Sequence, residues 1–528
     1  MGVVNQEIED VKRFEEIVGI LASEGFGYVL DRLNFRKHIP LHKRAGVGSS
    51  SMPPPERVRR TFEELGPTFI KFGQILAQRP DIVPQEYIEE LEKLEDAVPP
   101  FDTDTARNIV EEELGPVDDT FQDFDDEPLA AASIAQVHRA TLQNGDEVVV
   151  KIRRPGIKQQ IKKDLDILLF MAKEGEKHVR KLKAMRARNA VKEFAEWTQD
   201  ELNLKKEARN AQLLQQNLAD EERVTVPDVY MDMTTERVLV MEYVDGIKSN
   251  DVEAIQELDI DAEEVARTAV RAGLKQAIRD GFFHADPHPS NFLISEDGNL
   301  IYLDFGMMGK LTATTRRNLG LLLLHAANEE VEAAVDVVKR MATVEDDPDL
   351  DGLKEDIEES ILKIRNTTLE EQSITTALFN IAVQASERGV HVPSSTVILA
   401  KSMLTMEGIG MTIYPEFQIG KEFEKTTEKL LYQLNSPSKL ARTFLIDAVQ
   451  NRDLFARMPT QINRLIGGTG EQQEKQEITV ETGPDRKTVV AGALILGSFA
   501  LLVKALPQDY MLPVSIIGLL AAAWTLFR

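Results

Sequence analysis

Two stretches hold side chains whose types and order could do chemistry. His284-Ala285-Asp286-Pro287-His288-Pro289-Ser290-Asn291 comes first, and Asp304-Phe305-Gly306 follows after a short apolar run. Phosphoryl transfer uses such a set. One carboxylate sits near the attacking hydroxyl, an amide oxygen binds a metal ion, and a second carboxylate bridges Mg2+ on the phosphates. Asp-Phe-Gly alone arises easily by chance, whereas the ordered trio Asp286, Asn291 and Asp304 is far more specific. The plain alternative is a turn-rich loop of capping Asp and Asn residues. A further candidate is Lys151, inside the β-rich run Glu147-Val148-Val149-Val150-Lys151-Ile152. A lysine in mid-strand needs an acidic partner, because burying its charge alone costs several kcal/mol. Its role in a kinase is to reach nucleotide phosphates while paired with a Glu on a helix. Glu201 and Glu207, six positions apart and so on different helical faces, are the candidates. An exposed strand lysine is the alternative.

The surrounding elements must position these groups. Residues 136–141 and 147–152 read as two strands joined across Asn144-Gly145, a strong hairpin signal. A charged helical section spans about 157–218. Two more strand-like runs follow, near 226–231 and 237–242, and the pattern from about 251 to 464 is mostly helical. The first 95 residues also read as helical, broken by a Ser- and Pro-rich linker at 49–55. The expected fold class is α+β: a two-lobed, protein-kinase-like fold with an N-terminal helical extension and a C-terminal transmembrane helical hairpin. The expected divisions are an extension at 1–127, a β-rich lobe at 128–248, a helical lobe at 249–466, a linker at 467–487 and an anchor at 488–528.

The anchor rests on two apolar runs, 489–503 and 511–527, separated by Pro507-Gln508-Asp509-Tyr510. The first run, extended past Lys504 to Leu506, reaches eighteen residues, which as a helix span about 27 Å, just short of the ~30 Å hydrocarbon core. Arg486 and Lys487 before the pair and Arg528 after it place both outer ends on the cytoplasmic side. That predicts a membrane protein with a cytoplasmic catalytic domain and membrane lipids as partners. A helical hairpin buried in a soluble core is the competing reading.

Composition narrows the field. The 528 residues are 42% hydrophobic and 28% charged, against whole-chain disorder or a multi-span transporter. With 62 basic and 88 acidic residues the net charge is −26, which repels nucleic acid in general, so no nucleic-acid partner is expected. The basic run Arg180–Arg188 reads as a solvated helix face, with membrane-surface contact as its alternative; no aromatic residues interleave it for base stacking. The absence of Cys excludes disulfides, Cys-ligated zinc, Fe–S clusters and a thiol nucleophile. The first residues carry no apolar secretory segment.

Where an ordinary protein kinase has a Gly-rich loop before its lysine, this chain has Ala130, Ala131, Ala132 and Ser133. Each Ala adds a Cβ and narrows the backbone choices, so the loop should hold nucleotide in a different pose. The alternative is a small-residue helix start. After Asp304-Phe305-Gly306 there is little room for a segment that could dock a peptide, and no Ala-Pro-Glu follows.

Taken together, Lys71-Phe72-Gly73-Gln74, the run from Ala130 to His138, the run around Lys151 and the Asp286–Asn291 and Asp304 segments resemble the UbiB / ADCK family of atypical, protein-kinase-like proteins. The resemblance runs from about residue 50 to 310. It implies a kinase-like fold whose KxGQ helices pack over the active site and exclude peptides. It implies ATP and Mg2+ as cofactors, with ATPase activity or small-molecule phosphorylation in place of protein phosphorylation. It also implies a link to ubiquinone or other isoprenoid-lipid biosynthesis, with an isoprenoid or quinone precursor and lipid-biosynthesis enzymes as candidate partners. A nucleotide-binding pseudokinase scaffold for such enzymes is the alternative function. Carried onto this chain, Lys71 and Gln74 form the occluding motif, with Glu201 as the expected partner of Lys71. Lys151 binds phosphates with Glu207 as its partner. Asp286 takes the catalytic-loop position, and Asn291 and Asp304 hold Mg2+. Glu242 and Val244 join Ala130–Ser133 as nucleotide-binding candidates. Two positions depart from the family pattern: Asn203 stands where an Asp is usual in Glu-x-Asp, and Ser290 where a Gly usually precedes the catalytic-loop Asn.

Overall fold

The computed structural model describes residues 2–33, 35, 53–94, 99–179, 182–183, 186–327, 330–345, 347–366, 374–417, 422 and 425–426. The chain divides into two units, Met1–Glu428 and Lys429–Arg528, and the first holds all of these residues. The division falls before residue 466, where the sequence reading ended the helical lobe. The expected linker at 467–487 and both apolar runs lie outside the described residues, as do positions 49–52 and parts of the basic run.

Five strands make the antiparallel sheet of the smaller lobe: β1 (Phe121–Phe124), β2 (Ala130–Ala131), β3 (Ala135–Leu142), β4 (Glu147–Arg153) and, after an intervening strand, β6 (Val238–Glu242). They run in the order β1-β3-β4-β6, with β2 also paired to β3. The β3–β4 turn contains Gly145 at φ +91°, a value that a residue with a Cβ rarely adopts. Alternation along β4 sends Val148, Val150 and Ile152 to one face, where they pack with Ala106, Ile109 and Val110 of the Thr103–Leu114 helix. Asp102 caps that helix by accepting from the Thr105 N–H at 2.8 Å. Lys151 therefore falls on the other face, with Val149, which packs against the core of the larger lobe.

This sheet starts earlier than expected. The boundary at 127/128 cuts off β1, which pairs with β3, and the Thr103–Leu114 helix, which fills the core beneath. The strand expected at 226–231 is also corrected. Only β5 (Val224–Thr225) is strand there, and it joins a second sheet, while Val229 makes an isolated bridge to Met241. Pro227 lacks the N–H that a continuous strand would use.

That second sheet, β5-β10-β9-β7, contains β7 (Ile247–Lys248), β9 (Phe292–Ile294) and β10 (Leu300–Tyr302). β8 (Phe282–His284) pairs with β11 (Met308–Lys310). These strands carry the Asp286–Asn291 loop and Asp304 between them. Behind lie the Ala262–Leu274 and Ser394–Ile413 helices, which share a core with Phe292, Tyr302 and Phe305. Ser394–Ile413 is the one described helix long and apolar enough to cross a membrane, but 67% of its most apolar 18-residue stretch is buried in this lobe. Its burial makes it a core helix, and the expected hairpin is elsewhere in sequence.

The N-terminal extension is helical, with helices Gly2–Ser23, Gly27–Arg32, Pro54–Leu65, Pro67–Ala77 and Gln85–Leu91. Pro67 opens its helix, and Gly66 at φ +94° turns the chain out of the preceding one.

Candidate active site

The Lys151 Nζ lies 2.6 Å from Glu207 Oε1 and 3.1 Å from Asp304 Oδ1. Glu207 stands in the first turn of the Leu204–Leu218 helix. Asn203 caps this helix, its side chain accepting from the Lys205 N–H at 3.1 Å. Asn and Asp serve equally well as N-caps, so the departure from the family pattern at 203 keeps this role. Glu207 is fully buried, whereas 30% of the Asp304 side chain is exposed. Two carboxylates thus compete for one ammonium. Burial, aided by Asp304 and opposed by Lys151, pushes the Glu207 carboxyl up to about 7. Burial would also raise Asp304, but the positive charge around it, that of Lys151 above all, outweighs it and holds that carboxyl well below the usual range. Burial works against the Lys151 ammonium as well, yet Glu207 and Asp304 keep it above the ordinary lysine value.

Glu201 belongs to the preceding helix, Ala187–Glu201, and pairs with Lys71 at 2.7 Å, both side chains being nearly buried. Gly306 packs beside it; a Cβ there would stand 3.3 Å from Glu201 Cγ. The Pro67–Ala77 helix is therefore tied to the Asp304-Phe305-Gly306 segment through Lys71 and Glu201. Gln74 does something else: its amide donates to the Leu94 carbonyl at 3.3 Å, within the extension. The residue that reaches the Asp286–Asn291 loop is Gln78, whose Nε2 donates to Asp286 Oδ1 at 3.1 Å.

His284 locks the loop. Its Nε2–H donates to the Asp304 carbonyl at 2.8 Å and its Nδ1 accepts from the Asp286 N–H at 3.2 Å. Burial lowers its pKa, which suits a neutral ring with one donor and one acceptor. Gln276 accepts from the His284 N–H at 3.0 Å, and Ser402 Oγ donates to the His284 carbonyl at 2.6 Å. Asn291 Nδ2 donates to the Asp286 carbonyl at 3.2 Å, which leaves the amide oxygen as an acceptor. That oxygen and the ionised Asp304 carboxylate suit Mg2+, a hard cation that takes one or two carboxylates plus substrate phosphates.

The Ala-rich stretch is a tight hairpin. Ala130 pairs with Val137, which stands across from Lys151, so the hairpin lies in the same row of the sheet as the lysine. The Ala132 N–H donates to Ala135 O, and Ala132 O accepts from Arg154 Nε, both at 2.8 Å. Ser133 is buried. Below it, Gln136 and His138 form a buried chain: the Phe101 N–H to Gln136 Oε1 at 3.0 Å, Gln136 to His138 Nε2 at 2.8 Å, and His138 Nδ1 to Asp125 O at 2.8 Å. These motif residues hold the hairpin from beneath. Glu242 ends β6 and its carboxylate accepts from the Asp228 N–H at 3.1 Å; Val244 follows in the connection to β7, which joins the two lobes.

Sequence reasoning missed Gln78, Gln276 and Ser402, and quoted His284 within its motif without giving it a role. Gln78 lies four residues beyond Gln74 and so shares its helical side, a signal that was available. Ser402 had none, since a lone serine in an apolar helix has no distinguishing pattern.

Comparisons agree with this architecture. Residues 93–338 match the ABC1 atypical kinase-like domain and residues 357–418 match the UbiB helical domain. A Marinobacter nauticus protein named probable protein kinase UbiB is 34% identical over 74% of this chain and 72% of its own length. An uncharacterized Clostridium pasteurianum protein is 35% identical over 78% of this chain and 74% of its own. An uncharacterized Synechocystis protein is 36% identical over 68% of this chain, but the match spans only 62% of that protein. Among solved structures, a Mycobacterium tuberculosis protein in complex with erythromycin gives a TM-score of 0.47 at 22% identity, over 67% of this chain and 90% of that one. The fold and site define an atypical kinase-like protein. The chain belongs to the UbiB family.

Proposed function

We propose that the chain is a membrane-anchored atypical kinase or ATPase that binds ATP with Mg2+ and supports isoprenoid-quinone or isoprenoid-lipid biosynthesis. The observation that carries this reading is Lys151 joined to both Glu207 and Asp304. An ammonium so held is positioned for phosphates, and Asp304 beside it for the metal that accompanies them. Asn291 would share the metal, and Asp286 would accept the proton of an acceptor hydroxyl. Bound Mg2+ would supply charge neutralisation on the phosphates. The names of relatives such as probable protein kinase UbiB support the link to quinone biosynthesis.

Asp304→Asn tests the site. MgATP should raise the thermal midpoint of the wild type, and the mutant should lose most of that shift while keeping its midpoint without nucleotide. Equal shifts in both would remove Asp304 from the metal site. Turnover measured with and without anionic vesicles and quinone precursors then tests the activity. One contact favours the pseudokinase alternative: Gln78 occupies an oxygen of Asp286 that an acceptor would need. If MgATP binds and no condition produces turnover, the scaffold reading replaces the enzyme.

A further inference from the structure

The Ser394–Ile413 helix carries two adjacent side chains that reach different parts of the site. Lys401 Nζ donates to the Ala77 carbonyl at 2.5 Å and pairs with Glu92 at 2.8 Å. Ala77 is the last residue of the Pro67–Ala77 helix, where carbonyls lack partners within the helix. A cation there also meets the negative end of the helix. Gln78, the next residue, closes that helix by returning its N–H to Ile75 and Leu76, and its side chain holds Asp286. Ser402 meanwhile holds the His284 carbonyl, two residues before Asp286. One helix of the C-terminal bundle thus fixes the backbone on both sides of the Gln78–Asp286 bond.

That bond matters because an acceptor hydroxyl gives up its proton to the carboxylate it meets, and must come within hydrogen-bond reach of it. We propose that Lys401 is a positioning residue that keeps the Gln78 amide on Asp286, so that the helical bundle controls access of an acceptor to this carboxylate. The proposal rests on the reading of Asp286 as the catalytic-loop carboxylate. It adds a keeper outside the Pro67–Ala77 helix and outside every motif in the sequence. Lys401 contacts Ala77 and Glu92, away from Lys151 and Asp304, so its effect should spare nucleotide binding.

The test uses the full chain in vesicles with Lys401→Met, Lys401→Arg, Gln78→Ala and the Met/Ala double variant. Amide hydrogen exchange over 67–78 is read without nucleotide, and kcat and KM for MgATP are read separately. Lys401→Met should speed exchange over 67–78 and raise kcat by about tenfold, equivalent to about 1.4 kcal/mol, with KM unchanged. Gln78→Ala should raise kcat equally, the double variant should be no faster than either single one, and Lys401→Arg should behave as wild type. Wild-type exchange and kcat in Lys401→Met, or a fall in kcat in Gln78→Ala, overturns the proposal. If wild type shows no MgATP thermal shift, the nucleotide reading fails by itself, while the exchange comparison still decides whether Lys401 positions Gln78.

Discussion

Glu207 and Asp304 share one ammonium unequally, and the deeper carboxylate bears the cost. At about 7, against an ordinary 4.5, Glu207 binds a proton more tightly in the folded chain than in the unfolded one. Its contribution to stability is full below about pH 4.5 and is lost as pH rises through 7. Glu207→Gln keeps a neutral side chain of the same shape at every pH. Relative to wild type, the mutant should gain stability as pH rises from 5 to 8. Denaturant unfolding at both pH values checks this, and parallel pH curves would show that Glu207 stays ionised throughout. The side chains gathered at this centre could be singled out in the sequence because the chemistry proposed for them restricts their types and order. Choosing Glu207 over Glu201 needed the helix break at Leu202 and Asn203, which gives the two acids to separate helices. Lys401 and Ser402 were illegible: each holds a backbone carbonyl more than a hundred residues away, which leaves no mark on the sequence, and the Glu92 partner of Lys401 is just as remote.

At the scale of elements, the Pro67–Ala77 helix is close-packed against its neighbours at Gly73. A Cβ there would stand 2.8 Å from Phe62 and 3.2 Å from Leu91, and would collide with Leu94. Glycine at this point of the KxGQ motif is a packing requirement, independent of backbone dihedrals. Gly73→Ala should destabilise this group of helices by about 1–3 kcal/mol, because the displaced side chains are flexible but crowded. Hydrogen exchange should rise over 54–94 and stay unchanged across β3 and β4. Uniform protection in both regions would show that the neighbours absorb the methyl. Strands β3 and β4 were readable from alternation and Asn144-Gly145, since both signals are local. β1 was not, because Phe121-Gln122-Asp123-Phe124 is too short and too acidic to show a period, and only pairing with β3 makes it a strand. The run at 226–231 misled for the converse reason: its Val residues favour strand, and Pro227 denies it the ladder.

At the scale of the whole molecule, the site is assembled by three groups of elements that no local signal links. The sheet brings Lys151, the second sheet and its loops bring Asp286, Asn291 and Asp304, and the N-terminal helices lay Lys71 and Gln78 against them. All lie within Met1–Glu428. The two apolar runs at 489–503 and 511–527 belong to the other unit and lie outside the described residues. Those runs are uncharged, and leaving them in water would expose more apolar surface than a soluble chain usually carries. A chain ending at Gly470 should accordingly be soluble without detergent and give the same MgATP thermal shift as the full chain. It should also fail to float with anionic vesicles that carry the full chain upward in a density gradient. The two measurements separate the competing readings of the tail. A truncated chain that aggregates and loses the nucleotide shift would place the apolar runs in the catalytic core. One that keeps the shift and still floats would move membrane attachment to another surface, with the basic run Arg180–Arg188 next to be tested, since basic side chains near an anionic surface contribute about 1 kcal/mol each.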